Sequence, residues 1–139
     1  MSDEIDIYDI SRKDVVDGVN TVNIETAKLK HYDLIICSNV LEHIPYPKKT
    51  LDEIKMVMKD ECILYVEIPY EKIVRDFKNP MEVLVNKKHW HEHINFFNET
   101  SIKRLVNLCD YEMIKMKTLK INNFDDFVLQ LALKCTEKS

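Results

Sequence analysis

Apolar residues run along the chain in short strand-length stretches that alternate with helically spaced ones. Ile5 to Ile10 reads as a short strand ending in Asp9, with a polar turn at Ser11, Arg12 and Lys13. Asp14 to Gly18 fits one helical turn closed by glycine, and Thr21 to Ile24 a short extended piece. Tyr32 to Asn39 (YDLIICSN) is a continuous apolar run, the pattern of a strand buried on both faces. Pro47 stands where the first turn of a helix favours proline, and Leu51, Ile54, Val57 and Met58 follow at helical spacing. Cys62 to Ile68 (CILYVEI) predicts a second buried strand stopped by Pro69.

Tyr70 to Trp90, with Pro80 and several charges, reads as a lid-like insertion. Asn98 is placed to cap a helix, Glu99 suits the positive end of its dipole, and Phe97 can staple onto Ile102. Ile102, Leu105, Val106 and Cys109 give that helix its buried stripe. Tyr111 to Leu119 and Phe127 to Cys135 then form strands around Asn122 and Asn123, antiparallel because the connection is short. The expected fold class is α/β: one domain over residues 1–139, with a mostly parallel sheet, helices on both faces and an antiparallel C-terminal hairpin.

Composition narrows the function. With 45% hydrophobic and 32% charged residues the chain is globular, and a net charge of -4 with interspersed signs argues against nucleic acid as a partner. The lysines around Lys48 and Lys87 read as solvated faces. No apolar run approaches the roughly 20 residues of a membrane span, and no secretory signal opens the chain, so a cytoplasmic protein without a membrane partner is expected. Cys37, Cys62, Cys109 and Cys135 are scattered through apolar segments and read as reduced core residues. Gly18 is the single glycine, where average usage of about 7% would give roughly ten. A glycine-rich phosphate or dinucleotide loop cannot be built from this sequence, because such loops need backbone without Cβ atoms.

The residues at strand ends carry the candidate chemistry. Asp9 has two readings: a carboxylate for a ribose diol, or a turn initiator and cap with Ser11. Ser38, Asn39, Glu42 and His43 follow the carboxyl end of the third predicted strand, where open α/β sheets bind ligands. Glu42 and His43 either orient a substrate and accept a proton, or organise their loop by hydrogen bonds. His89, His91 and His93 alternate, so in extended backbone their imidazoles share one side. That suits proton transfer, a metal site, or plain hydrogen bonding. Tyr46 and Tyr70 are candidates for a pocket mouth.

Residues Tyr32 to Pro47 (YDLIICSNVLEHIPYP) resemble the fourth strand and following loop of class I S-adenosylmethionine-dependent methyltransferases, closest to the small-molecule branch. Cys62 to Pro69 is similar to that family's fifth strand, and His93 to Tyr111 (HINFFNETSIKRLVNLCDY) to its later "H..FF" segment, with Asp110 where glycine is common. Asp tolerates the left-handed conformation that such a turn demands. Asp6 to Ser11 (DIYDIS) resembles the second strand, whose terminal acid grips the cofactor ribose.

The resemblance implies a Rossmann-like methyltransferase sheet that begins at the second strand. The chain is therefore expected to be N-terminally truncated, without the first strand and its glycine loop. A missing central strand would leave two strand edges unpaired. A partner chain, self-association, or Ile5–Ile10 sliding into the vacancy would complete the sheet.

The resemblance also implies S-adenosylmethionine as cofactor, held by Asp9, Tyr8, Ile10, Ile24, Ser38 and Asn39. His93 or His43 would be the catalytic base, with Glu42, His91 and Tyr70 facing a small-molecule substrate such as a sugar or glycan precursor, and no metal. The alternative function is a catalytically inactive methyltransferase-like module that binds a partner protein.

Overall fold

The computed structural model describes residues 4–9, 16–76, 79, 81–82, 85, 92–121 and 126–136. In chain order the elements are β1 (Ile5–Ile7), β2 (Val19–Thr21), α1 (Ile24–Leu29), β3 (Tyr32–Ser38), α2 (Pro47–Lys55), β4 (Met58–Pro69), α3 (Lys72–Arg75), α4 (Glu99–Leu108), β5 (Tyr111–Ile121) and β6 (Asp126–Cys135). The larger sheet has the order β3-β4-β6-β5, and β1 pairs with β2 in a separate parallel pair. β3 and β4 are parallel, while β6 runs antiparallel to both β4 and β5. The α/β class and the terminal hairpin predicted from the sequence are the observed ones, with β6 inserted between β4 and β5.

Local chemistry sets the element ends. Asn98 accepts from the Ser101 main-chain N–H while Ser101 answers the Asn98 N–H, a full capping box. Phe97 and Ile102 lie in the same buried cluster, as a staple requires. Pro47 occupies the first turn of α2. Asn23 caps α1 by accepting from Thr26 at 2.8 Å. This overturns the extended reading of Thr21 to Ile24: the strand is Val19–Thr21, and the cap turns Ile24 into a helix. Val57 and Met58 likewise leave the helix, because Met58 already pairs with Tyr32 across the start of β4.

The core lies between α2, α4 and one face of the larger sheet. Leu41, Leu51, Cys62, Leu64, Ile68, Ile102, Cys109, Leu129 and Leu133 are fully buried in it. Tyr111 fixes the packing by donating its hydroxyl to the Leu51 carbonyl at 2.7 Å. Cys37, Cys62 and Cys109 are free thiols in this core. Burial, with the Glu42 charge adding to it, pushes the Cys37 thiol up to about 12, so it stays protonated.

β3 departs from its predicted burial on both faces. Leu34 is 58% and Ile36 67% exposed. Both lie on the sheet face away from the core, in register with Ile63 and Tyr65, which are themselves only half-buried. β3 is also the edge of its sheet among the described residues, since β1 pairs with β2 rather than sliding in beside it. The small sheet is tied to the start of β3 through Asp6, which accepts from Tyr32 at 2.7 Å, Lys30 at 2.9 Å and Asn20 at 3.1 Å. Burial alone would raise the Asp6 carboxyl, and these three donors outweigh it and hold it below the ordinary range. Val22, Ala27 and Val57 form a satellite core beneath this junction, with Tyr32 and Ile35 packed on it.

Candidate functional site

The parallel strands of both sheets deliver polar residues at their carboxyl ends. Beyond β1 and β2, Tyr8, Asp9, Thr21, Val22, Asn23 and Ile24 line a hollow of about 420 Å³. It combines a carboxylate at a strand end, an exposed aromatic ring and two aliphatic side chains. This brings together three of the sequence-predicted cofactor residues, Tyr8, Asp9 and Ile24. Ile10 lies outside the described residues. A larger hollow of about 650 Å³ is lined by Pro45, Tyr46, Lys48 and Leu105 among others and holds none of the candidate ionisable groups at the strand ends.

Beyond β3 and β4 lies a second group. Ser38 and Asn39 end β3, and Asn39 adopts φ 54°, which turns the chain sharply toward Leu41. The Asn39 main-chain N–H donates to the Glu67 carbonyl at 3.0 Å. The Glu67 carboxylate accepts from Tyr65 at 2.6 Å, Gln130 at 2.9 Å and, more weakly, Ser38 at 3.4 Å. Those donors, Tyr65 foremost, hold its carboxyl below the ordinary range. Glu67 was not singled out from the sequence, although its place at the end of CILYVEIP parallels that of Asp9.

The loop after β3 meets the segment before α4. Ile94 and Asn95 both donate their main-chain N–H groups to the Glu42 carbonyl, at 2.8 and 3.1 Å. The Asn95 side chain donates to the carbonyls of Leu41 and Ile44, at 2.9 and 2.5 Å. These bonds lock the turn that presents Glu42 and His43. Asn95 carries no titratable group, so its sequence position drew no notice.

Within that clamp the structure brings Glu42, His43 and His93 together. One donor atom from each lies within 4.8 Å of the others, and the two imidazole rings stand edge-on with centroids 4.8 Å apart. The His43 Nε2 is 3.7 Å from a Glu42 carboxylate oxygen. Its Nδ1 lies 2.6 Å from the Glu92 carbonyl. A carbonyl only accepts, so Nδ1 carries a hydrogen, and in the neutral ring Nε2 holds the lone pair. The Nδ1 of His93 pairs in the same way with the Glu71 carboxylate, a partner not foreseen from the sequence.

Glu42 is 2% exposed. Neither of its side-chain oxygens has a hydrogen-bond partner among the described residues. Burial raises its carboxyl above the ordinary value, against the opposing pull of its own main chain and the two histidines.

Tyr70 directly precedes Glu71, the partner of His93. Its main-chain N–H continues the β4–β6 ladder to Phe127 at 2.8 Å, and Arg75 lies over its ring. His89 and His91, and most of the predicted lid, lie outside the described residues.

The methyltransferase-domain family profile matches residues 3–116 of this chain. By sequence the chain matches no curated protein. Among solved structures it is similar to LepI in complex with SAM, with a TM-score of 0.68 at 8% identity over 98% of this chain and 37% of that one. It is also similar to magnesium protoporphyrin IX methyltransferase from Synechocystis PCC 6803 with bound SAH. That TM-score is 0.57, at 12% identity over 85% of this chain and 51% of that one. The 1,6-didemethyltoxoflavin-N1-methyltransferase of Burkholderia thailandensis, with bound 1,6-didemethyltoxoflavin and S-adenosylhomocysteine, gives 0.62 at 11% identity over 86% and 52%. The chain thus spans between about a third and a half of the length of these structures. No described helix is long and apolar enough to cross a membrane. With the family profile matching most of its length, the chain belongs to the methyltransferase-domain family.

Proposed function

We propose that this chain contributes to an S-adenosylmethionine-dependent methyltransferase acting on a small molecule, with a sugar or glycan precursor as the substrate class to try first. The observation that carries the reading is the pairing of two features at strand carboxyl ends: the hollow at Tyr8, Asp9 and Ile24, and the Glu42–His43–His93 cluster. The hollow fits an adenosine in kind. Asp9 would accept from the ribose hydroxyls, Tyr8 and Ile24 would pack on the base, and Ser38 and Asn39 would contact the cofactor from the end of β3. When bound, S-adenosylmethionine supplies a methyl group already activated on its sulfonium.

The protein then has two tasks, to align the acceptor atom and to take its proton. The Glu71 carboxylate orients the His93 ring, and the Glu92 carbonyl that of His43, so each offers an Nε2 lone pair. Either imidazole is a base for a substrate hydroxyl or amine, and Glu42 would help orient that substrate. Support for the cofactor comes from the family and from neighbours solved with SAM or SAH.

The test is calorimetric titration of the folded chain with S-adenosylmethionine and S-adenosylhomocysteine, beside Asp9→Ala. Saturable binding near one equivalent, weakened about tenfold or more by the substitution, is the expected result. No binding by a chain shown to be folded would sink the stand-alone enzyme.

A second reading has its own observation. Among the described residues β3 pairs only with β4, and its Leu34 and Ile36 are open to solvent. A non-catalytic methyltransferase-like module could use that edge to bind a partner strand, from another protein or a second copy. Light scattering that finds a monomer at all concentrations, together with cofactor binding, would decide against it.

A further inference from the structure

We propose that Glu42, His43 and His93 form a binding site for a divalent first-row transition cation of the zinc and manganese class. The site goes beyond the methyl-transfer reading and does not depend on it, because it rests on the donor set alone.

Three observations converge. First, the donors are already gathered, one atom from each residue within 4.8 Å of the others. Ligand atoms around one ion stand roughly 3 to 3.5 Å apart, given bonds of about 2.0–2.2 Å. Side-chain rotations of about an ångström would close the set. Second, Glu42 is 2% exposed, and its carboxylate has no hydrogen-bond partner among the described residues. An ionised carboxylate so placed is costly unless a cation meets it. A structural glutamate would be expected to find a donor, and the two Glu42 oxygens are the only buried side-chain polar atoms without one among the described residues. The turn's main chain is clamped by Ile94 and Asn95, so the carboxylate is presented by a fixed backbone.

Third, each imidazole is oriented from behind as metal-bound histidines are. The His43 Nδ1 meets a main-chain carbonyl and the His93 Nδ1 meets the Glu71 carboxylate. Such outer partners fix the tautomer and leave Nε2 as the ligating atom. Two imidazoles and one carboxylate favour zinc, manganese or iron(II) over magnesium, which prefers an all-oxygen shell. The side chain of His43 is 43% exposed, which leaves an open side where a water or a substrate oxygen could complete the coordination.

With the cation bound, the imidazoles would no longer serve as bases. The ion would acidify a coordinated hydroxyl in their place. That consequence alone rests on the methyl-transfer reading.

The test is calorimetric titration of the metal-free chain, checked for folding by circular dichroism, with Zn²⁺, Mn²⁺ and Mg²⁺ separately and without S-adenosylmethionine. We expect Zn²⁺ to saturate at one equivalent and Mg²⁺ to bind at least about tenfold more weakly. Glu42→Gln and His93→Gln should each weaken Zn²⁺ by about tenfold or more, and His31→Gln, at the opposite end of β3, should leave it within about twofold. A second readout separates ligation from damage to the fold. Glu42→Gln should stay folded without metal and should lose the upward melting shift that Zn²⁺ gives the parent. Three results would overturn the site: no stoichiometric binding by a folded chain, Zn²⁺ affinity unchanged in both Glu42→Gln and His93→Gln, or a preference for Mg²⁺. A chain that binds Zn²⁺ but no S-adenosylmethionine would keep this site and lose the function proposed above.

Discussion

β3 and β4 read almost alike in sequence, as neighbouring apolar strands that each end beside a candidate site, yet the protein treats them differently. β4 has β3 on one side and β6 on the other, and its Cys62, Leu64, Val66 and Ile68 are all buried. Among the described residues β3 has a partner on one side only, and its Leu34 and Ile36 lie on the opposite sheet face, beside the half-buried Ile63 and Tyr65, and are exposed. A continuous apolar run reports that a strand has been selected to be covered on both faces. It does not report what provides the cover. Where the run and the observed exposure disagree, as at β3, the exposed face and open edge mark a surface fit to receive another element.

Matched truncations would break this comparison first. Leu64→Ala in β4 removes a fully buried side chain and should cost about 2–5 kcal/mol in urea denaturation. Leu34→Ala in β3, at 58% exposure, should change stability by no more than about 0.5 kcal/mol. A comparable cost at Leu34 would mean that β3 is covered in solution, and the effect should then depend on protein concentration.

The loops beyond the two strands differ as well. The turn after β3 is held by hydrogen bonds from a segment some fifty residues later, through Asn95 to Leu41 and Ile44. Asn95→Ala orphans two carbonyls and should cost about 1–3 kcal/mol in the same measurement. It should also loosen the histidine cluster, seen as broadened His43 and His93 ring resonances. If Asn95→Ala leaves both stability and these resonances unchanged, the clamp is not what shapes the site.

That clamp shows where sequence reading stops. The helix at Asn98 was legible because capping is local: donor and acceptor sit three residues apart. The buried stripe of α4 was legible from its period, and Asp110 was recognised as tolerating a left-handed turn, which it adopts at φ 56°. Glu42, His43 and His93 were visible as chemically capable residues, but their convergence was not, because it depends on β3 and the α4 lead-in meeting in space. Glu71 and Asn95 stayed hidden for the same reason. Only the fold gives them their partners. The burial of β3 was misread because apolar content signals what a strand can cover, while topology decides what does the covering. The start of α1 was missed because Asn23 could be read equally as a turn residue or as a cap.

The strand ends also predict a pH effect. Glu67, at the end of β4, is held below its ordinary value of 4.5 first by the Tyr65 hydroxyl and then by Gln130 and Ser38. A depressed carboxyl stabilises the folded state above its unfolded value, and that contribution is lost as pH falls through the folded one. Below about pH 4.5 the parent should therefore lose stability more steeply than Glu67→Gln, which keeps a polar side chain but cannot titrate. Parallel acid limbs in thermal melts of the two would show that the network gives Glu67 no pH-dependent role.

The smallest expected effect lies at the exit from β3. β4 leaves its sheet extended, with Tyr70 still bonded to Phe127, whereas β3 leaves through Asn39 at φ 54°. The left-handed region costs most residues roughly 1–2 kcal/mol, and asparagine and glycine much less. Asn39→Gly should thus stay within about 0.5 kcal/mol of the parent, while Asn39→Ala should lose about 1 kcal/mol. The hydrogen bond from the Asn39 side chain to Ser38 is long, at 3.4 Å, so its loss adds little. The difference between glycine and alanine therefore isolates the backbone. If the two variants prove equal, the turn relaxes without cost and the presentation of Glu42 and His43 does not depend on Asn39. If alanine alone is destabilised, and its metal affinity falls with its stability, the left-handed turn is what aims the carboxyl end of β3 at the site.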